Sequence, residues 1–151
     1  MNMKVKDPYL KPVIFGGLLI TMLSVIFAPA IFLWSIIGGY LAVRIANKIT
    51  KEIPSIIDGL FLGLFSGIIG GTCLDILTLA FFSSSDNQHL LIRTLEKNWP
   101  KKADPLPNFS ELLPALFLTT SVFMIIITVL FAIVGGYIGV LISRHKNKII
   151  K

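Results

Sequence analysis

The sequence predicts an all-α fold: a polytopic membrane protein folded as one four-helix transmembrane bundle spanning residues 1–151. Three observations lead there. The composition is 54% hydrophobic and 15% charged, with long stretches that carry no charge at all. The lysines and arginines gather at the ends of those stretches rather than within them. Gly59, Gly63, Gly67 and Gly71 then follow one another at four-residue spacing inside one apolar run, with Asp75 next in register. Overlapping GxxxG steps open a groove in which another helix backbone can lie close, the packing mode that counts when lipid removes the drive to exclude water.

The first apolar run, 13–47, is broken only by Ala28-Pro29-Ala30. As one helix it would be about 50 Å long against roughly 30 Å of hydrocarbon. Split at Pro29, it becomes helices at about 13–28 and 30–47, each reaching about 24 Å. Their turn carries no polar residue, so the pair either crosses a thinned bilayer, the preferred reading, or turns back inside it as a re-entrant hairpin. Ala28-Pro29-Ala30 also has the A-x-A form of a signal-peptidase site, but the strongly apolar chain beyond it favours a retained signal anchor. The runs at 55–82 and 111–143 are about 40 and 50 Å long as helices, so they should tilt or project. Between them, 83–110 is polar. Leu91, Leu95 and Trp99 stand at i, i+4 and i+8 there, which suits a short surface helix ended by Pro100 as well as a solvated loop.

Basic residues set the orientation. With four crossings, one side holds Lys4, Lys6, Lys11, Arg44, Lys48, Lys51, Arg144, Lys146, Lys148 and Lys151, and the other only Arg93, Lys97, Lys101 and Lys102. Three crossings would divide the charges evenly. The positive-inside rule therefore favours four, with both termini cytoplasmic, segment 83–110 outside, and residence in the cell (inner) membrane. The net charge of +6 is thus explained by the lipid bilayer, and a nucleic-acid partner is not expected.

Small residues recur in the second and fourth helices. Trp34-Ser35-Ile36-Ile37-Gly38-Gly39-Tyr40 resembles Phe131-Ala132-Ile133-Val134-Gly135-Gly136-Tyr137, and Ala42 and Gly139 follow at equal distance. Duplication of a helix pair and convergence on small packing residues both account for this. Gly38 with Ala42, or Gly135 with Gly139, are the expected partners of the third helix's glycine face.

Few positions could carry chemistry. Ser55 and Asp58 match the [ST]-x-x-[DE] capping box at the start of the third helix, and helix capping is preferred over ion binding. Asp75 lies inside an apolar run, where an ionised carboxylate must face protein, pair or take up a proton; Thr72 and Thr78 stand three residues to either side. This trio is the candidate polar intramembrane site, with a structural role favoured over transport. The interiors of the other apolar helices hold no Asp, Glu, Lys, Arg or His, too little for a proton relay. Small multidrug exporters place an essential glutamate in the first of four helices, where this chain offers only Thr21 and Ser24. The single cysteine, Cys73, reads as a small buried residue. His89 and His145 are far apart, and no metal site, cofactor or catalytic motif is expected.

Gly38-Gly39, Asp58-Gly59 and the glycines from 63 to 71 together resemble small bacterial four-helix membrane families of unknown function, over about a third of the chain. The resemblance implies a four-helix membrane fold and no particular activity. The leading expectation is a non-catalytic membrane protein, packing its own helices, self-associating or serving as accessory subunit to another membrane protein. The alternatives are a small transporter or channel using Asp75, and a holin-like pore-former with the basic tail Arg144-His145-Lys146-Asn147-Lys148.

Overall fold

The computed structural model describes residues 8–100 and 108–149, the side chains of 109, 110 and 147–149 excepted. Lys4, Lys6, Lys101, Lys102, Lys151 and the side chain of Lys148, all used in the charge comparison, lie outside the described residues. The described chain is all-helical: α1 Leu10–Ile26, a single 3-10 turn Ala28–Ala30, α2 Ile31–Thr50, α3 Ile56–Phe82, α4 Ser85–Asn98 and α5 Phe109–Ile149. Three stretches, Ala28–Thr50, Ile56–Phe82 and Glu111–Lys146, are long and apolar enough to cross a membrane. The 17 residues of α1 are apolar but shorter.

Local chemistry fixes the boundaries. Pro12 sits in the first turn of α1, where its missing N–H costs nothing. Pro29 cannot continue the helix, so α1 stops at Ile26 and the chain turns. The turn is apolar, yet its backbone is satisfied: the Phe27 carbonyl accepts the Ala30 N–H at 3.3 Å and the Trp34 indole N–H at 3.0 Å. A tryptophan one turn into α2 thus does the work that water would do at a surface turn. Helix α2 ends on Lys51 in the left-handed region, φ 57° and ψ 13°. At the start of α3, Asp58 N–H donates to Ser55 Oγ at 3.1 Å. The Asp58 carboxylate in return accepts the Ser55 N–H at 3.1 Å and its hydroxyl at 2.7 Å. Both sides of a capping box are made.

The segment expected as loop or surface helix holds a helix, α4. Its side chains close the end of α3, Asn87 donating to the Phe81 carbonyl at 2.7 Å and Gln88 to the Phe82 carbonyl at 2.8 Å. Leu91, Leu95 and Trp99 form its half-buried face. Helix α5 is longer than the 111–143 expected, 41 residues or about 60 Å. Pro114 lies within it, and its ring removes one backbone donor from the first turns.

The chain divides into two compact units that share α3 and α5. The first comprises residues up to Leu74 and from Ile125 onward; the second is Asp75–Met124. In the first unit α1 contacts α2 and α3, and α5 contacts α2 and α3. Its core of Val13, Ile20, Val43, Leu62 and Val140 also encloses small hydroxyls, and its exterior is largely apolar. Thr21, Ser24, Ser35, Ser66 and Thr128 are buried, while Phe15, Met22, Ile26, Phe61 and Phe65 are exposed.

Candidate functional site

All twelve glycines of the chain lie in this first unit, and each meets another helix. The α3 stripe faces α5. A Cβ on Gly67 would stand 2.6 Å from Val129 Cα, one on Gly63 2.8 Å from Ile133 Cα, and one on Gly71 3.2 Å from Ile125 Cα. Each step of four along α3 is matched by a step of four back along α5, so the α5 backbone lies in the groove that glycine leaves open. Gly59 meets Val140 and the Gly136 carbonyl.

The expected partners need correction. The α3 stripe packs on Gly136, Ala132 and Val129, whereas Gly135 and Gly139 face α2, toward Ile36, Tyr40 and Val43. Gly38 and Ala42 face α1, at Gly16 and Ile20. On a helix, adjacent glycines point about 100° apart, so one Gly-Gly pair serves two neighbours. Gly39 packs on Ala132 and Gly136, which sets the two Gly-Gly-Tyr segments directly against each other in parallel.

Asp75 occupies the next step of the α3 stripe, and Ser121 the next step of the α5 stripe. They face each other, with the Ser121 hydroxyl placed to donate to the Asp75 carboxylate. Sequence reasoning placed Thr72 and Thr78 around Asp75 and missed Ser121. Thr72 is exposed and Thr78 half-buried. The signal that would have found Ser121 is the register itself, since it lies four residues before Ile125 on the same face. Ser121 also lines a cleft of about 450 Å³ in the second unit, with Leu79, Gln88, Leu113, Pro114 and Phe117. Those neighbours are apolar apart from Gln88 and offer no nucleophile or base.

Buried hydroxyls form a second polar set, one that carries no sequence motif. Thr21 Oγ1 donates from α1 to the Gly70 carbonyl of α3 at 3.1 Å, and contacts its own Gly17 carbonyl at 3.2 Å. Ser66 Oγ donates in the opposite direction, to the Val13 carbonyl at 3.3 Å. Ser35 and Thr128 bond within their own helices, to Ile31 at 2.6 Å and Ile125 at 2.9 Å. Ser24 is buried and its hydroxyl has no partner. Cys73 is half-buried rather than enclosed. Among the described residues, no three of His, Cys, Asp or Glu converge as a metal site would require. Comparison with protein families, with characterised proteins and with solved structures finds no match to this chain.

Proposed function

We propose that the chain is a non-catalytic integral membrane protein that crosses the bilayer four times and acts as a packed scaffold or accessory subunit. Both termini lie on the cytoplasmic side of the cell membrane, and α4 lies outside. The observation that carries this reading is where the glycines go. All twelve are used in contacts within one chain, so none is left over as a docking stripe. Large apolar side chains remain on the outside, a surface for acyl chains and for the helices of a neighbouring membrane protein.

Transport through Asp75 has less support. The α3–α5 seam is closed backbone to backbone from Gly59 to Gly71, which leaves no solute path along it, and the carboxylate already holds a hydroxyl partner. Single cysteines at Ser84 and Lys146, in a Cys73→Ala background, should label from opposite sides of intact cells; labelling from one side would refute the orientation. A cysteine at Ala28 should label from outside if α1 and α2 cross fully. Solute flux in liposomes that is lost in Asp75→Asn would replace the scaffold reading with transport, and host lysis on expression would replace it with a pore.

A further inference from the structure

A cavity of about 610 Å³ opens in the first unit where α2 ends, walled by the end of α2, the connection to α3 and the last turns of α5. Its volume is within the roughly 300–1,000 Å³ of small-ligand sites. Arg44 and Lys48 enter it from α2, Lys51 from the connection and Lys146 from α5, against a single carboxylate, Glu52. None of the four cations is ion-paired with a described residue.

Two simpler explanations fall short. Cations stabilise a helix C-terminus and anchor topology, which accounts for Arg44 and Lys48 but not for convergence from three elements on one concavity. Arg44 and Lys48 stand one turn apart on the same face, an arrangement that repels. Lys51 is held at φ 57°, a conformation that glycine adopts freely and that a side chain disfavours. A left-handed residue is a common way to end a helix, and here it turns the chain so that Lys51 joins Arg44 and Lys48 at the cavity. The cavity is also amphipathic in the way a lipid is. Tyr40 lines it, and a second concavity of about 610 Å³, lined by Leu141, Ile142, His145 and Lys146, shares Ile142 and Lys146 with it.

We infer that this cavity binds the phosphodiester headgroup of an anionic phospholipid of the cytoplasmic leaflet, with an acyl chain running along the Leu141–Ile142 side of α5. The shared chemistry is a phosphate held by Arg44, Lys48, Lys51 and Lys146. The choice of leaflet rests on the orientation proposed above, which puts this cluster at the cytoplasmic headgroup layer. The labelling of Ser84 and Lys146 tests that orientation separately, so the two ideas can fail independently.

The test uses the full chain, delipidated in mild detergent and returned to micelles doped with phosphatidylglycerol or phosphatidylcholine. Native mass spectrometry then counts retained lipid. Wild type should retain phosphatidylglycerol in preference to phosphatidylcholine. Lys51→Gly and Lys146→Gln should each weaken that retention about fivefold, while Arg144→Gln, outside the cavity, should change it less than about twofold. Lys51→Gly should also melt no lower than wild type, since it relieves the left-handed lysine; binding lost with stability kept separates a ligand role from a structural one. Equal losses in all three variants would reduce the effect to general surface charge and overturn the site, as would equal retention of the two lipids. Inorganic phosphate, added at millimolar concentration to lipid-free micelles, should leave the melting temperature unchanged. Stabilisation by phosphate without retention of phosphatidylglycerol would assign the cavity to a soluble anion and overturn the lipid assignment.

Discussion

Adding one methyl group to Gly67 sets two known effects against each other, and the structure decides which wins. An alanine in mid-helix is better than glycine by about 1 kcal/mol on propensity alone. Were Gly67 facing lipid, Gly67→Ala would therefore stabilise the protein. In the structure the new Cβ would meet Val129 Cα at 2.6 Å, the Thr128 carbonyl oxygen at 2.9 Å and Val129 N at 3.0 Å. All three are backbone atoms of α5, so no side chain can rotate aside. Carbon atoms rest about 3.5–4.0 Å apart, so α3 and α5 must separate by about 1 Å at this step. A gap of that size forfeits a quarter to a half of each contact nearby, including those of Gly63 and Gly71 with Ile133 and Ile125. Overpacking of this kind costs about 1–3 kcal/mol. With no adjustable neighbour the cost falls toward the upper end, and after the propensity gain the net loss is about 1–2 kcal/mol.

Two companion variants make that number diagnostic. At Gly139 an added Cβ would meet Val43 Cβ at 2.9 Å and the Tyr40 carbonyl oxygen at 3.2 Å, neither of which can rotate aside, so Gly139→Ala should also destabilise, though by less than Gly67→Ala. Ile68 is 40% exposed beside Gly67, and Ile68→Leu should be neutral. Equilibrium unfolding in mixed SDS and mild-detergent micelles, followed by tryptophan fluorescence, would rank the three. A Gly67→Ala protein as stable as wild type, or an Ile68→Leu protein just as damaged, would refute the backbone seam.

Other outcomes follow from the polar groups. Thr21→Val removes the bond from α1 to α3 and should destabilise by about 0.6 kcal/mol; Ser24→Ala removes an unpartnered hydroxyl and should be neutral or stabilising in the same unfolding assay. Asp75→Asn keeps an acceptor for Ser121, so fold and stability should persist, whereas Ser121→Ala strips the carboxylate of its donor and should cost about 1 kcal/mol, discounted because Asp75 is only half-buried. Ser55→Ala breaks the capping box and should cost about 1 kcal/mol, seen also as faster amide exchange confined to the first turn of α3.

Much of the fold was legible because long apolar runs broken by proline and capping residues admit few solutions. The apolar run lengths, Pro29 and the Ser55–Asp58 box located α1, α2 and the start of α3 to within a few residues. The α3 stripe was visible as a groove, but its partner was not. A glycine pattern states that something comes close without naming it, and Val129, Ile133 and Ile125 look like any other lipid-facing residues until the register is known. Asp75 was visible for the same reason that Ser121 was hidden: an acid in an apolar run stands out, whereas a serine beside two threonines in α5 does not. The closure of the Phe27 carbonyl by Trp34 was equally hidden, since an indole seven residues away carries no local turn signal.

The likeness between the two Gly-Gly-Tyr segments changes meaning once they are seen to touch. A duplicated helix pair would leave related residues in corresponding places, each serving its own partner. Here the segments serve each other: Gly39 lies on Ala132 and Gly136, and Gly135 lies on Ile36. A parallel pair that closes to backbone distance needs small residues on both members of the contact, so the contact alone imposes a similar pattern on each helix. Their first helices do not repeat the same use. The glycines of α1 face α2 and α3, while the four-residue stripe of α3 faces α5. Mutual packing therefore accounts for the resemblance without a common origin. It also predicts that enlarging a glycine in one segment cannot be offset by trimming a side chain in the other. Enlarging Gly135 against Ile36 should be rescued in part by Ile36→Ala only if the clash reaches beyond the backbone, and since the nearest atoms to a Cβ there are the Ile36 carbonyl and Cα, no rescue is expected.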